Sequence, residues 1–538
     1  MSFQRRLESS CRPLDPGLRQ DDTTVNSKLK HFSLLFLFAL LIFYPTLQHL
    51  YLDIDEVLWA EFAHAVLNGC PPYVCVIGEK PPLLYLTYAG IFKIFGTNNY
   101  FALHLFHIVW IACTAFLLNL LPLSLEGKCA SIFGQKEGDL GFTFFPGLFY
   151  ILLFALPEFR TLAATGESFM NLFLVASFYL FLKNKNWILI GVLVGLASLY
   201  RHQAAIQLFV YIFVILREMV REPHHVPIGI RRNMVSLSNP CICLFFGFFF
   251  TWALMSLILY LWGAWPAFWE WGILHNLGYI QNGAKAPGIW LTALENLGLF
   301  FGKTIVFWIL LFIPPLRLRG GQGKFTLFLY LSSALLAACT GFRFFPHYFI
   351  QTFPPLALLA VLGLKKINFP LWAKTGLTLS LALVLFQNVT LSKTLEEDST
   401  KDYASLNKTV GDYIQQHTNI EDKIVVWGWG QGIYAYANRR MGTRYIASDF
   451  LTGRIPASDA KQYPSMEAAQ KFVDPKAWEY FFGDLEKNKP LYFIDTSKAN
   501  MHDYQWFPPE AYARLKDYVD QNYFLEKTLE QIKIYHRK

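Results

Sequence analysis

The feature that most constrains this chain is a series of long apolar runs that recur from about residue 32 to about residue 389 and then stop. A run of roughly 20 apolar residues is long enough to cross the hydrocarbon core of a bilayer as a helix. Only 16% of the residues are charged, whereas an ordinary soluble domain has roughly 25%. The sequence therefore predicts a mostly α-helical, polytopic membrane bundle that is followed by a polar tail.

The apolar runs divide the chain into three predicted parts. These are a cytoplasmic N-terminal tail over residues 1–31, a membrane module over 32–389 whose first external loop is 51–99, and an extracytoplasmic domain over 390–538. The run at 83–95 has only about 13 residues and carries Lys93, so we expect an interfacial or re-entrant helix there. Eleven spans remain, near residues 32–50, 100–122, 141–157, 163–182, 186–200, 203–216, 240–262, 296–314, 325–340, 347–363 and 371–388.

The distribution of Lys and Arg sets the predicted orientation. With this choice of spans, the segments on the N-terminal side of the membrane hold nineteen basic residues, and the opposite loops before the tail hold six. Such a bias places the N-terminus in the cytoplasm and the tail outside, whereas counting 83–95 as a span would invert every later loop. The net charge of +8 forms no basic stripe, so we expect membrane lipids and not nucleic acid around this chain.

The tail is predicted to be a small α/β domain. It contains no Gly-rich nucleotide-binding fingerprint. Alternation along the first predicted strand puts Trp427 and Trp429 on one face, where the two indoles would either stack on a sugar or pack in a core. The predicted strands are Lys423–Trp429 and Leu491–Ile494, and the predicted helices lie near 400–416 and 509–522.

The eight cysteines show no spacing typical of a metal site, and five of them lie in or beside apolar runs. Cys70 and Cys75 lie instead in the polar first loop. They could form a disulfide if that loop faces an oxidising compartment.

The first of three polar clusters follows the first predicted span. Asp53, Asp55 and Glu56 place three carboxylates within four residues, and the Glu79-Lys80 pair follows at the start of the interfacial helix. Because neighbouring carboxylates repel one another, they need a cation, a metal ion or an acceptor hydroxyl beside them, or one of them stays protonated. A solvated loop would also tolerate this run, so the sequence leaves both interpretations open.

The second cluster is the short turn 157–160, followed by Glu167 at the head of the next predicted span. Glu167 is either a second acid of a site or a residue that stabilises a helix N-terminus. The third cluster is the stretch from Arg343 to Tyr348, which includes His347. Arg suits phosphate oxygens because its guanidinium donates two parallel hydrogen bonds, although Arg and Tyr also anchor helices at membrane interfaces. Arg201, in a short turn on the same side, could join that anion site.

Taken in order, these features resemble a known family. The matching residues in the first loop are Asp55-Glu56, Ala60-Glu61, Leu67-Asn68-Gly69, the stretch from Glu79 to Tyr85, and Phe95-Gly96. Later matches are 157–167, Gly195-Leu196-Ala197 before Arg201, the stretch from Arg343 to Tyr348 with Pro354-Pro355, and the stretch from Trp427 to Tyr434. On these residues the chain resembles the GT-C superfamily of multispanning glycosyltransferases, which includes protein O-mannosyltransferases and the bacterial aminoarabinose transferase of lipid A.

The resemblance implies a GT-C-type bundle and an enzyme of a bacterial inner membrane. Its donor would be a sugar on a polyprenyl phosphate, and its acceptor an envelope lipid, glycan or protein at the extracytoplasmic face. Asp55 would act as the general base of an inverting transfer, and Glu56 would orient it. The residues implied for the donor phosphate are Lys80, Arg343, His347, Tyr348 and Arg201. A divalent metal ion held by Glu79 and His347 is an open alternative.

Two other classes of function compete with this reading. A transporter or lipid flippase would place charged or broken helices at the middle of the bilayer and would show repeated halves. The charges here lie near the predicted outer interface instead, and no repeat is visible. A non-enzymatic membrane subunit would tolerate the loss of the Asp55 carboxylate.

Overall fold

The computed structural model describes most of the chain. The described residues are 22–121, 144–221, 239–284, 288–312, 321–366, 403–454, 466–470, 472–499 and 501–538, with a few single positions between 370 and 383. The predicted span near 371–388 lies almost entirely outside them.

The membrane module is built from helices, as predicted. They are α1 (Asp22–Phe43), α2 (Ile54–Leu67), α3 (Pro82–Phe95), α4 (Tyr100–Asn119), α5 (Phe145–Phe154), α6 (Gly166–Leu182), α7 (Trp187–Ser198), α8 (Ile206–Arg221), α9 (Pro240–Leu261), α10 (Trp265–Phe268), α11 (His275–Ala284), α12 (Ile289–Lys303), α13 (Ile305–Phe312), α14 (Gly321–Cys339) and α15 (Phe353–Lys366). A π-helix, Trp269–Leu274, joins α10 to α11. Short 3-10 helices include Tyr44–Gln48, Pro157–Phe159, His202–Ala205 and Pro346–Thr352.

Four stretches of the described chain are long and apolar enough to cross a membrane by length and composition. They are Leu29–Gln48, Tyr100–Asn119, Pro240–Leu261 and Pro346–Leu364. Six further apolar helices have 10–17 residues, and α3 is one of them. α3 has 14 residues, but the other five helices of this class coincide with predicted spans, so length does not distinguish α3 and its exclusion from the spans stays a prediction. The count of eleven spans stays a prediction.

One predicted span is not a single helix. The segment near 296–314 is divided between α12 and α13, which meet at a bend of 70°. The bend lies at Thr304, whose backbone leaves the helical region (φ −102°) and whose hydroxyl donates back to the carbonyl of Phe300. The Thr304 amide donates to the same carbonyl at 3.1 Å, so the threonine satisfies its own hydroxyl and amide at the break, as an apolar environment requires.

Small residues allow two neighbouring helices to approach closely. A Cβ at Gly247 of α9 would lie 2.0 Å from the carbonyl oxygen of Ile188, and a Cβ at Gly191 of α7 would lie 2.1 Å from that of Leu244. Trp252 of α9 also donates a hydrogen bond to Ser198 at 2.8 Å. Because lipid is as apolar as the side chains themselves, such backbone approach is a main source of helix association in membranes.

The C-terminal domain, residues 403–538, is the predicted α/β unit. Its sheet has the order β2-β1-β3-β5-β4, in which β1 pairs in parallel with β2 and β3, and β5 pairs antiparallel with β3 and β4. The strands are β1 (Lys423–Trp427), β2 (Arg440–Met441), β3 (Tyr492–Asp495), β4 (Tyr523–Leu529) and β5 (Ile532–Arg537). The helices are α16 (Tyr403–Gln416), α17 (Gly432–Ala437), α18 (Asp449–Thr452), α19 (Met466–Gln470), α20 (Ala477–Asn488) and α21 (Ala513–Asn522).

The predicted tryptophan face is wrong. β1 ends at Trp427, because Gly428 turns the chain with φ 101°, so Trp429 is not part of the strand. Trp427 is fully buried and packs against Trp478 and Tyr512, whereas Trp429 stacks on Tyr504 at 6.2 Å between ring centroids. The two indoles therefore do not form one sugar-binding platform.

The C-terminal domain packs directly on the first loop, residues 51–99. The amide of Ile77 donates to the carbonyl of Arg444 at 3.0 Å, and Asn98 is hydrogen-bonded to Asn438. Tyr51 packs against α17, where its hydroxyl would meet a Cβ added at Gly432. Asn407 of α16 is buried beside the same glycine. The first loop and the C-terminal domain therefore lie at the same end of the bundle.

Candidate functional site

An arginine from another loop lies between the carboxylates of Asp53 and Asp55. Asp53 caps the N-terminus of α2, where its Oδ1 accepts a hydrogen bond from the Asp55 amide at 2.9 Å. Arg160 Nη1 lies 3.2 Å from Asp53 Oδ2 and 3.8 Å from Asp55 Oδ2. Both carboxylates reach the same guanidinium nitrogen because the segment begins a helix and is not an extended strand.

The two aspartates differ in their surroundings. Burial raises the pKa of Asp53 to about 7, and the charge of Asp55 adds to this effect although Arg160 opposes it. The side chain of Asp55 is 41% exposed and lies at the open side of the pair. Arg160 has a left-handed backbone (φ 52°), which is uncommon for a residue with a side chain and more frequent at functional sites. Asp55 is thus the carboxylate of this pair that a substrate can reach.

Glu56 is fully buried and joins three segments. Its Oε2 accepts from the Leu52 amide at 2.8 Å, and its Oε1 accepts from the Ala164 amide at 2.7 Å. His104 of α4 lies 3.2 Å away. Burial alone would raise the pKa of Glu56, but His104 and the two amides lower it. Glu56 therefore fixes the start of α2 and does not face solvent, and its role in orienting Asp55 stays a prediction.

Glu167 is also fully buried and forms an ion pair with Arg201. Arg201 Nη2 lies 2.5 Å from Glu167 Oε1, and His347 Nε2 lies 3.9 Å from the same oxygen. The N-cap of α6 is Thr165, whose hydroxyl accepts from the Ser168 amide, so the first turn of α6 is capped by another side chain. The sequence alone allows either a capping role or a role in the site for Glu167. The contact of Glu167 with His347 brings the second and third polar clusters together.

The third cluster lies around the short helix Pro346–Thr352. His347 and Arg343 are buried, and the His347 ring packs against Tyr348 at 4.7 Å between centroids. The guanidinium of Arg201 lies over the Tyr348 ring at 5.6 Å from its centroid. The positive groups Lys80, Arg160 and Arg201 all lie near enough to interact electrostatically with His347.

The Glu79-Lys80 pair is fixed by the segment after the π-helix. His275 Nε2 lies 3.0 Å from Glu79 Oε1, and the amide of the Asn276 side chain donates to the Glu79 carbonyl at 2.7 Å. Although burial would raise the pKa of Glu79, His275, Lys80 and Arg343 lower it to about 2. Lys80 Nζ lies 3.9 Å from Glu79 Oε2.

These contacts do not support the metal pair considered from the sequence. Glu79 pairs with His275, whereas His347 lies against Glu167. Among the described residues, no group of three or more His, Cys, Asp and Glu side chains could hold a metal ion. Stable transition-metal sites generally need at least three protein ligands.

The structure also joins Cys70 and Cys75 of the first loop in a disulfide, with 6.3 Å between their Cα atoms. The pair closes a turn directly before the Glu79-Lys80 segment.

Several residues of the site were not assigned a role from the sequence. They are Arg160, which was visible as a charge beside a predicted span, and His104, His275 and Lys303. Lys303 forms an ion pair with Glu158, which ties the end of α12 to the turn that carries Arg160. His104 and His275 lie in apolar or aromatic stretches without a recognisable motif, and each pairs with a carboxylate that is far away in sequence.

In this arrangement the accessible carboxylate of Asp55 lies beside a group of cationic side chains. The charge of Arg201 reaches Asp55, and that of Arg343 reaches Glu79. An accessible carboxylate can accept a proton, and neighbouring Lys and Arg side chains can stabilise an anionic leaving group.

Comparison with known proteins gives structural matches only. No protein-family model matches the chain, and no curated protein matches it. The crystal structure of ArnT from Cupriavidus metallidurans bound to undecaprenyl phosphate is similar, with 13% sequence identity, a TM-score of 0.55, and coverage of 94% of this chain and 97% of that chain. The structure of the same protein in the apo state matches with a TM-score of 0.53 over the same shares. The GT-C resemblance is thereby confirmed at the level of the fold: this chain has the fold of ArnT, a helical GT-C bundle with a small C-terminal α/β domain.

Proposed function

We propose that this protein is a membrane glycosyltransferase that moves a sugar from a polyprenyl phosphate to an acceptor on the extracytoplasmic face. The observation that carries the proposal is the meeting of Asp55, Lys80, Arg201, Arg343 and His347 at the end of the bundle that the C-terminal domain covers. The shared fold adds support, because the ArnT structure with that fold binds undecaprenyl phosphate.

In the proposed reaction, Asp55 takes a proton from the acceptor hydroxyl or amine as that group attacks the anomeric carbon of the donor sugar. The bond between the anomeric carbon and the phosphate oxygen breaks, and its electron pair leaves with the polyprenyl phosphate. A single displacement of this kind inverts the anomeric centre. Arg160 holds Asp55 and Asp53 together, so that the base points toward the open side.

The leaving phosphate needs positive charge beside it. Lys80 and Arg343 are our candidates for this charge, with the His347 imidazole as a hydrogen-bond donor and Tyr348 at the edge of the same group. Arg201 is already neutralised by Glu167 at 2.5 Å, so we assign it to holding His347 and Tyr348 in place more than to the phosphate itself.

The proposed side of the membrane follows from the distribution of Lys and Arg among the loops. The excess of Lys and Arg in one set of loops favours an external position for the first loop and the C-terminal domain, which are in contact with each other. We propose a bacterial inner membrane, with an envelope lipid, glycan or protein as acceptor.

A transfer assay tests this function. The purified full chain is incubated with a radiolabelled polyprenyl-phosphate sugar and an envelope extract, and label in the acceptor fraction is counted. Asp55→Asn removes the base and should lower the rate about 10²- to 10⁴-fold. Arg343→Ala should lower it by at least about tenfold through the loss of phosphate stabilisation.

Two matched variants control this assay. Asp412→Asn removes a carboxylate that pairs with Lys408 on the surface of α16, and Arg440→Ala removes a surface arginine that pairs with Glu421. Both should transfer label like the wild type. If the wild-type chain transfers no label, or if Asp55→Asn and Arg343→Ala both keep full activity, the proposed function is wrong. Movement of the lipid across vesicles without transfer would favour a flippase.

A further inference from the structure

The backbone around Lys80 is held by three side chains from different parts of the chain. The hydroxyl of Tyr73 donates to the Lys80 carbonyl at 2.8 Å, and the Lys80 amide donates to the hydroxyl of Tyr85 at 3.1 Å. The Asn276 side chain donates to the carbonyl of Glu79 at 2.7 Å. Every one of these contacts fixes the main chain, and none of them involves the Lys80 ammonium.

Tyr73 is an unusual residue for such a contact. It has a left-handed backbone (φ 67°) although it carries a large side chain, and only 2% of its surface is exposed. This conformation is disfavoured for a tyrosine and persists only where the surroundings impose it. Something in the first loop must therefore hold Tyr73 in position.

The disulfide between Cys70 and Cys75 supplies that constraint. It closes a turn in which Tyr73 is enclosed between the two cysteines, and the Val74 amide donates across the turn to the Pro71 carbonyl. The Cys70 amide anchors the turn to α2 through the Ala65 carbonyl. A covalent ring of this size removes most of the conformations that an open loop would sample.

The Tyr73 ring is also enclosed on its faces. Phe62 of α2 and Phe268 of α10 lie 5.0 and 5.3 Å from its centroid, and Phe62 stacks on Tyr85 at 3.8 Å. The two tyrosines whose hydroxyls hold Lys80 are thus packed through one shared phenylalanine. A displacement of Tyr73 would be transmitted to both hydrogen bonds of the Lys80 main chain.

From these contacts we infer that Tyr73, held by the Cys70–Cys75 disulfide, is a positioning residue that aims Lys80 at the phosphate of the lipid donor. Tyr73 does not touch the donor. It sets the direction of the Lys80 side chain by fixing the peptide from which that side chain projects. The inference rests on the proposed function for the identity of the ligand, but the constraint on the Lys80 backbone is independent of it.

Binding of undecaprenyl phosphate to the full chain in detergent tests the inference. Tyr73→Phe removes only the hydroxyl and should weaken binding about fivefold, the effect of one neutral hydrogen bond. Tyr211→Phe is the matched control, because the Tyr211 hydroxyl is equally buried but is bonded to Ser177, between α6 and α8. Tyr211→Phe should bind like the wild type.

A double-mutant cycle separates positioning from general destabilisation. In a Lys80→Ala background the side chain that Tyr73 positions is missing, so Tyr73→Phe should cause no further loss of binding. If instead the two losses multiply, or if Tyr73→Phe alone binds as tightly as the wild type, the inference is overturned.

Reduction tests the disulfide. Dithiothreitol converts Cys70 and Cys75 to two thiols and is itself oxidised to a cyclic disulfide. In the wild type, this should speed hydrogen exchange at the Lys80 amide and weaken lipid binding about as much as Tyr73→Phe does. The double variant Cys70→Ser/Cys75→Ser should behave like reduced wild type and should not respond to the reductant. Unchanged exchange at Lys80 on reduction would overturn the inference, whereas a wild type that binds no lipid would overturn only the proposed function.

Discussion

The carboxylates of the site differ because their surroundings differ. Glu56 and Glu167 are fully buried, and each has a cationic or imidazole partner within 3.2 Å, while Asp55 is exposed and lies 3.8 Å from Arg160. A buried ionised group is tolerated only with partners, and those partners then fix its position. We therefore expect Glu56 and Glu167 to matter first for stability, and Asp55 for chemistry.

Glu56→Ala should lower the free energy of unfolding by about 3 kcal/mol, because it leaves the Leu52 and Ala164 amides without their acceptor. The measurement is the thermal midpoint of the purified chain in detergent, followed by tryptophan fluorescence. Glu486→Ala changes an exposed glutamate of α20 and should stay within about 0.5 kcal/mol of the wild type. Equal midpoints for both variants would contradict the anchoring role of Glu56.

The pair of Glu167 and Arg201 gives a second expectation. Arg201→Met leaves a buried carboxylate without its cation and should cost about 3–5 kcal/mol. Adding Glu167→Gln removes the uncompensated charge, so the double variant should recover most of that loss. The same thermal measurement applies, and a double variant that is less stable than Arg201→Met would show that the two groups do not act as a pair.

For individual residues, the sequence predicts which side chains belong to the site but not which of them pair with each other. Asp55, Lys80, Arg201, Arg343 and His347 were identified because charges beside apolar runs are costly. Their partners could not be predicted, since contacts such as Glu56 with His104 and Glu79 with His275 join residues that are far apart in sequence and belong to no motif. The metal pair of Glu79 and His347 stays a prediction, and the contacts of Glu79 with His275 and of His347 with Glu167 were not visible in the sequence.

Among the helices, α7 and α9 show how sequence controls packing. Gly191 and Gly195 of α7 lie against α9, and Gly247 of α9 lies against α7, so that main-chain atoms approach where side chains would otherwise separate them. The two helices are therefore positioned by the absence of side chains, and α7 leads directly into the turn that holds Arg201.

Gly247→Ala should lower the thermal stability of the chain by about 1–3 kcal/mol, because the new methyl group would lie 2.0 Å from the Ile188 carbonyl oxygen. Gly298→Ala is the matched control. It lies in α12, where no atom from another described element lies within 4 Å of the added Cβ, and it should be neutral or slightly stabilising because Ala favours helix more than Gly does. The expectation fails if both variants unfold at the wild-type midpoint.

Most helices could be predicted from apolar runs, because length and composition determine them directly. The break between α12 and α13 could not, since no proline lies between residues 296 and 313 and the bend depends on Thr304 and on tertiary contacts. In the C-terminal domain, the end of β1 was placed two residues too late. Alternation of side chains continues through Gly428, whereas its positive φ ends the strand.

The whole molecule depends on the contact between the first loop, the segment after the π-helix and the C-terminal domain. His275 pairs with Glu79 on one side and packs against Phe450 of the C-terminal domain on the other, 5.4 Å between ring centroids. A change in the charge of His275 therefore acts on all three parts at once.

The stability of this junction should depend on pH. Burial lowers the pKa of His275, but the hydrogen bond and charge of Glu79 outweigh it and raise the pKa above 6.5. Stabilisation from a raised histidine pKa is complete below 6.5 and is lost as the pH rises through the raised value. For Glu79 the lowered pKa of about 2 gives stabilisation that is complete above 4.5 and is lost on acidification.

The pair should therefore contribute most between pH 4.5 and 6.5. The measurement is the difference in thermal midpoint between wild type and His275→Gln across pH, which we expect to correspond to about 1 kcal/mol on this plateau and to shrink in alkaline buffer. His417→Gln, a change at an exposed histidine of the C-terminal domain, should show no such maximum. A difference that grows with rising pH would contradict the ion pair.

The GT-C fold was predictable from the order of the motifs, and the charge count predicts only that the first loop and the C-terminal domain lie on the same side of the membrane. What the sequence could not give is the interface itself. Two hydrogen bonds, from Ile77 to Arg444 and between Asn98 and Asn438, join segments that are more than 300 residues apart. These polar groups belong to no recognisable sequence motif.

The same interface affects how the protein can be produced. Asn407 begins an Asn-Lys-Thr sequence, the acceptor pattern for N-linked glycans, yet its side chain is 2% exposed and lies against Gly432 beside Tyr51. A glycan could be attached there only before the C-terminal domain closes on the first loop, and its bulk would then keep the two apart. Secretory expression in a eukaryotic host should thus yield a glycosylated, misfolded fraction that Asn407→Gln eliminates, whereas a host without this modification should not need the change.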